Sequence, residues 1–296
     1  MTSLGDPRIT FIVGAPRSGG SLLLDFLTVP KRMAWVPEKL EANPGRLHLA
    51  TEVRKLNWPL LGEFWLERRF AWKRVPSPAE GEGFWEHYLP AFTPPVDAPY
   101  VPGPEHVTDE EAERLRNAVR EVCACQHRSD FVGQYAGFPR VRLLRKVFPE
   151  ARFIQVVRNP RSVAYHLVRR IEGGDHKLWG NREAWKAVMP SELRERLEGL
   201  EDTPLNFSGV LVRWYHNLYQ EELGTLPEED RAEVAYADLM GHPERTLKRA
   251  IKFVGMEYDK RFDYYLKYHS IHQNNRRTKR NLSTEETEQL EKAVDG

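Results

Sequence analysis

Five short apolar runs punctuate the chain, and each reads as a strand. Arg8 to Gly14 (RITFIVG) is nearly continuous in apolar residues and stops at glycine. Arg32 to Pro37 (RMAWVP), Asp130 to Tyr135 (DFVGQY), Arg152 to Arg158 (RFIQVVR) and Glu233 to Tyr236 (EVAY) follow. Runs of this kind suit strands buried on both faces. Between them the apolar spacing changes to that of helices. In Asp109 to His127, Ala112, Leu115, Val119 and Val122 fall on one face, with acidic residues in the first turn. Helices are also expected over Ser21 to Leu27, Val141 to Phe148, Arg161 to Ile171 and Phe207 to Leu223. Pro243 to Val254 begins with proline and ends at Gly255, the usual asymmetry of a helix. Ser283 and Glu286 have capping-box spacing for a last helix reaching Val294. This alternation predicts an α/β fold, with helices on both faces of a roughly five-stranded parallel sheet in a three-layer α/β/α arrangement.

The pattern weakens from about Lys31 to Gly103. That stretch holds five of the eight tryptophans (Trp35, Trp58, Trp65, Trp72 and Trp85) and is proline-rich near Val75 to Pro78 and Pro90 to Pro104. It reads as helices and loops laid over the sheet edge within a single domain spanning 1–296. The stretch from about 31 to 128 is expected to form part of an acceptor site. Its rings are either ordinary core or the walls of an apolar pocket.

Composition narrows the classes. Lys and Arg total 44 against 43 Asp and Glu, a net charge of +1, so the basic excess of a generic nucleic-acid binder is missing. No apolar run approaches the roughly 18 residues of a membrane span. The opening residues show no basic leader pattern, and Cys123 and Cys125 alone make neither a disulfide scaffold nor a zinc site. A cytoplasmic setting is expected. Nothing in these patterns sets an oligomeric state.

The chemistry gathers at Gly14-Ala-Pro-Arg-Ser-Gly-Gly-Ser21, where the first strand gives way to a helix. Unpaired backbone N–H groups and a helix dipole favour an anion at such a junction. The spacing is that of a nucleoside-triphosphate loop, except that Gly20 stands where the lysine belongs and the cation has moved forward to Arg17. A kinase needs that lysine and a magnesium ion. No metal-ligand pattern such as H-E-x-x-H is present.

A second segment follows the fourth strand: Phe148-Pro-Glu-Ala-Arg-Phe-Ile leads into Arg158-Asn-Pro-Arg-Ser-Val-Ala-Tyr-His166. An arginine fixed at a strand end can fork onto a phosphate. Tyr236-Ala-Asp-Leu239 ends the fifth strand, and a basic run, Asn274 to Ser283, precedes the last helix. In this order the segments resemble those of the sulfotransferases that use 3′-phosphoadenosine-5′-phosphosulfate. The family's loop is P-R-S-G-T-S or P-K-S-G-T-T, and its second segment is V-R-[DN]-P-R-x-x-x-x-S. Its Y-E-D-L and its basic C-terminal loop match the third and fourth.

The resemblance implies a P-loop-like sulfotransferase fold and metal-independent, in-line transfer of a sulfuryl group. The acceptor would be a hydroxyl or amine of a small molecule, lipid or carbohydrate. It places the 5′-phosphosulfate on Arg17, Ser18, Gly19, Gly20 and Ser21, and the 3′-phosphate on Arg158. Tyr236 comes near the adenine, and Arg276, Arg277 and Arg280 close over the 3′-phosphate. His166 stands where the family has serine and is expected to donate in its place. Glu38, after the second strand, takes the role of general base, with His87, Glu82 and His106 in reserve. The family's lysine after the third strand is missing, since this chain reads Gln134-Tyr-Ala-Gly137 there. Two other readings stay open: a sulfotransferase-like protein that binds nucleotide without turnover, and a P-loop small-molecule kinase.

Overall fold

Strand β1 (Arg8–Gly14) lies at the centre of a five-stranded sheet. The other four strands are β2 (Met33–Ala34), β3 (Asp130–Ala136), β4 (Arg152–Val157) and β5 (Arg231–Ala235). The computed structural model describes residues 6–57, 76–92, 103–174, 179–268 and 283–295. Every pairing is parallel, in the order β2-β3-β1-β4-β5. Gly14 pairs with Ala136 and Val13 with Gln155, so the carboxyl ends of the three central strands meet along one edge.

Parallel strands need crossovers, and helices supply them. Those used below are α1 (Gly20–Leu27), α2 (Glu38–Glu41), α3 (Glu82–Tyr88), α4 (Asp109–Gln126), α5 (Val141–Val147) and α6 (Pro160–Glu172). They continue with α7 (Arg182–Val188), α8 (Ser191–Glu198), α9 (Pro204–Gly224), α10 (Tyr236–Gly241), α11 (Pro243–Phe253), α12 (Arg261–Tyr268) and α13 (Thr284–Asp295). The period-two alternation of the strands sorts side chains between the two faces. Phe11, Phe131 and Phe153 enter a core with Leu115, Val119 and Val122 of α4 and Leu143 and Leu144 of α5. Ile12, Val132 and Ile154 enter the opposite core with Leu23 and Phe26 of α1 and Leu247 and Ile251 of α11. Each fully buried side chain of this size contributes about 1.5–3 kcal/mol.

Three expectations change in detail. The second strand shrinks to two residues, because Trp35 and Val36 turn into the core while Pro37 begins the approach to α2. The fifth begins at Arg231, and Tyr236 opens α10 instead of ending the strand. Within 31–128, β2 and α4 belong to the layers themselves, so part of that stretch is framework. Among the described residues, no helix is long and apolar enough to cross a membrane.

Candidate functional site

The loop after β1 is shaped by its own backbone. Ser18 N–H donates to the Ala15 carbonyl at 3.1 Å, and Arg17 adopts a left-handed φ of 67°. Gly19, with φ 107°, sits at the N-cap of α1, where no side chain caps the helix. The first-turn N–H groups of α1 therefore face outward at the positive end of the helix dipole. Glycine is required at 19 for a second reason: a Cβ there would lie 2.4 Å from Cδ2 of Tyr236. A Cβ on Gly20 would lie 2.9 Å from Nε2 of Gln134. The amide from β3 thus fills the space that a side chain at the usual lysine position would enter. From below, the Tyr219 hydroxyl and the Gly137 N–H both donate to the Gly14 carbonyl, at 3.1 and 3.2 Å.

The second predicted segment arrives at the same place. Asn159 caps α6 by accepting from the N–H groups of Arg161 and Ser162, which fixes the turn directly after β4. Arg158 Nη1 then donates to the Arg17 carbonyl at 3.0 Å, and its guanidinium lies 4.4 Å from the centroid of the Tyr236 ring. Arg17, Gly19, Arg158, His166 and Tyr236, drawn from three separate segments, are brought into one constellation. Among the described residues, neither Arg17 nor Arg158 forms an ion pair with a carboxylate. Their neighbour Arg161, by contrast, is held by Glu291 and Asp295 of α13. Burial holds the Arg158 pKa below its usual value, and the charge of Arg17 adds to this.

His166 lies against Arg158. Its Nε2 lies 3.1 Å from Arg158 Nη2. A guanidinium only donates, so Nε2 is the acceptor and the ring proton sits on Nδ1. Burial, then Arg158, then Arg17 lower its pKa to about 4, so the ring is neutral near pH 7. Through Nε2 it accepts from Arg158.

The hydroxyl of Ser21 is engaged on both sides. It donates to Glu80 Oε1 at 2.6 Å and accepts from Gln134 Nε2 at 3.3 Å. Ser18 is buried beneath the loop. Sequence reasoning missed Glu80, which lies 59 residues away and reaches Ser21 through tertiary contacts alone. Pro37 and Pro78 form an antiparallel bridge, Ala79 N–H donates to the Val36 carbonyl, and the Trp85 indole donates to the Glu80 carbonyl at 3.1 Å. The same indole donates to the Gln134 carbonyl at 3.3 Å, tying the Glu80 segment to β3.

The other expected carboxylates and histidines scatter around this centre. Glu38 opens α2, with its N–H donating to the Ser77 carbonyl, and its carboxylate is exposed. Lys39 pairs with Glu52. Glu82 opens α3; burial, then Glu86, Glu41 and Glu80, raise its pKa. Burial also raises Glu41, with a further push from Glu80. His87 packs its ring against Tyr88, and His106 pairs with the adjacent Glu105. Arg276, Arg277 and Arg280 lie outside the described residues. Trp35 and Trp85 are buried in the core, while Trp58, Trp65 and Trp72 lie outside the described residues. Rings do border the loop on its other side. Phe138, following β3, stacks on Trp185 at 5.0 Å and meets Trp214 and Tyr215 edge-on or tilted, and Ala15 packs against this cluster. Among the described residues, no group of three or more His, Cys, Asp or Glu side chains could hold a metal ion.

Comparison with known proteins agrees with this layout. The sequence pattern of the Sulfotransferase family matches residues 9–260. Omega-hydroxy-beta-dihydromenaquinone-9 sulfotransferases of Mycobacterium bovis and Mycobacterium tuberculosis are each 28% identical over 300 aligned positions, covering 93% of this chain and 70% of theirs. A crystal structure of a sulfotransferase from Mycobacterium avium superposes with a TM-score of 0.57 at 13% identity, over 90% of this chain and 69% of that one. The sulfotransferase domain of the Synechococcus PCC 7002 olefin synthase superposes with a TM-score of 0.50 at 18% identity, over 96% and 94%. These two likenesses concern the fold, whereas the match over residues 9–260 carries the identity: the chain belongs to the sulfotransferase family.

Proposed function

We propose that this sulfotransferase takes its sulfuryl group from 3′-phosphoadenosine-5′-phosphosulfate and passes it to a hydroxyl or amine of a small-molecule, lipid or carbohydrate acceptor. One observation carries the reading: two guanidinium groups without carboxylate partners among the described residues, Arg17 and Arg158, converge on the uncapped start of α1. Such a site is built for a doubly anionic ligand. The donor brings the sulfuryl group and a bisphosphate leaving group.

The chain's own residues divide the work. Arg17, with the first-turn N–H groups at Gly20 and Ser21, faces the charge that grows on the bridging oxygen during transfer. Ser18 lies buried under that turn and Ser21 offers its hydroxyl at the surface. Arg158 takes the 3′-phosphate while His166 fixes its orientation. The Tyr236 ring, packed on Gly19 and under Arg158, offers a face beside the base. The rings of Phe138, Trp185 and Trp214 next to Ala15 favour an apolar or ring-bearing acceptor. The names of the two mycobacterial relatives, sulfotransferases of a hydroxylated menaquinone, point the same way.

Calorimetric titration of adenosine 3′,5′-bisphosphate tests this. Micromolar binding, weakened in Arg158→Ala by about 2 kcal/mol or more, is the expected result, because a charge-assisted fork is lost. No binding of the bisphosphate, together with tight binding of Mg·ATP, would replace the reading with a kinase.

A further inference from the structure

We propose that Glu80 is the residue that takes the acceptor's proton, and that its hydrogen bond to Ser21 is its resting position; the inference rests on the donor assignment above. The carboxylate stands at the hydroxyl that opens α1, 2.6 Å from Ser21 Oγ, where the anionic donor has to sit. This is a built placement. The Pro37–Pro78 bridge, the Ala79-to-Val36 bond and the Trp85 indole all fix the main chain on which Glu80 rides. Gln134 Nε2 occupies the other side of the serine hydroxyl, so its proton points at Glu80. Glu38 has no such connection: its main chain joins the same bridge, but its carboxylate makes no hydrogen bond or ion pair among the described residues.

A carboxylate and a phosphosulfate cannot share one hydroxyl. When the anion takes the Ser21 proton as its hydrogen bond, Glu80 is released beside the reacting centre with both oxygens free. The acceptor oxygen then gains its bond to sulfur as the sulfur–oxygen bond to the 5′-phosphate breaks. The electron pair of the broken bond remains on the phosphate oxygen near Arg17. The acceptor's proton passes to a Glu80 oxygen and from there to water.

The test compares the wild type with Glu80→Gln, which keeps the main-chain bonds to Val36 and Trp85. One readout is calorimetry with adenosine 3′,5′-bisphosphate. The other is single-turnover conversion of the phosphosulfate donor to bisphosphate, with water or 2-naphthol as the acceptor. Glu80→Gln is expected to bind the bisphosphate at least about threefold tighter, because a competing charge is gone, and to convert the donor about 10²- to 10⁴-fold more slowly. Ser21→Ala separates this role from a merely structural one. A proton acceptor still lowers the rate when Glu80→Gln is added to Ser21→Ala, whereas a residue that only holds the serine does not. An unchanged rate in Glu80→Gln, or an affinity no tighter than wild type, overturns the proposal. Failure of the wild type itself to bind the bisphosphate overturns the donor assignment and this inference with it.

Discussion

Arg158 Nη2 and His166 Nε2 face each other across 3.1 Å, with the imidazole as acceptor. The eight-residue spacing places them just after the strand end and on the second turn of α6. In place of the serine that the family resemblance implies, this chain has a ring 3.1 Å from the arginine. His166→Ser, which is too short to span the same gap, is therefore expected to weaken bisphosphate binding less than Arg158→Ala does. Calorimetry on both variants, compared at pH 7.5, checks the order.

The same pair has a pH signature. The folded-state pKa of His166 is depressed to about 4, below its unfolded value near 6.5. The neutral ring therefore favours the native state above about pH 6.5, and that contribution is lost as pH falls toward 4. Thermal unfolding of the wild type is expected to fall off more steeply between pH 6.5 and 4 than that of His166→Gln, which binds no proton. Arg158→Ala removes one of the two repelling charges and is expected to move the His166 resonance upward in an NMR titration, only part of the way, because burial is the largest cause.

Gly19 admits no side chain. Its φ is 107°, and a Cβ would meet the Tyr236 ring at 2.4 Å. Gly19→Ala is expected to destabilise the fold by about 1–3 kcal/mol and to shift the loop enough to abolish bisphosphate binding. Chemical denaturation and calorimetry on the same sample report both effects. In the double variant Gly19→Ala, Tyr236→Ala, part of the stability returns if the ring is the obstacle.

Tyr219 supports the loop from beneath, with its buried hydroxyl 3.1 Å from the Gly14 carbonyl. Tyr219→Phe removes one of two donors on that oxygen, since the Gly137 N–H remains. A loss of about 0.5–1.5 kcal/mol in unfolding free energy is expected, with the fold retained.

The two cysteines are expected to differ in reactivity. Burial pushes the Cys123 thiol up to about 12. Cys125 is raised less and is partly exposed. In the native protein at pH 7.5, a thiol reagent is expected to modify Cys125 slowly and Cys123 only after denaturant is added, because the thiolate is the reactive form.

Much of the sheet and of the anion loop is legible in the linear sequence, because both are local. Continuous apolar runs such as Phe11 to Val13 specify strands buried on both faces. Gly19 and Gly20 mark a glycine-rich anion loop, and Arg158 follows its strand directly. The order of the segments carries the family resemblance without any contact being known. What a neighbouring residue does is not local. Trp35 and Trp85 read as core or pocket wall, and the packing of β3 and α3 places them in the core. His166 reads as a donor until the distance to Arg158 makes it an acceptor. Glu80 has no signature in its own stretch. It reaches Ser21 only because two prolines, one in each of two distant segments, meet in a bridge. The sequence by itself determined where the strands lie, where the glycine-rich loop falls and which arginines carry charge, since these follow from propensity and side-chain chemistry at each position. Tertiary structure alone decided which carboxylate stands at the loop and which way the histidine's proton faces, since both depend on distances between groups far apart along the chain.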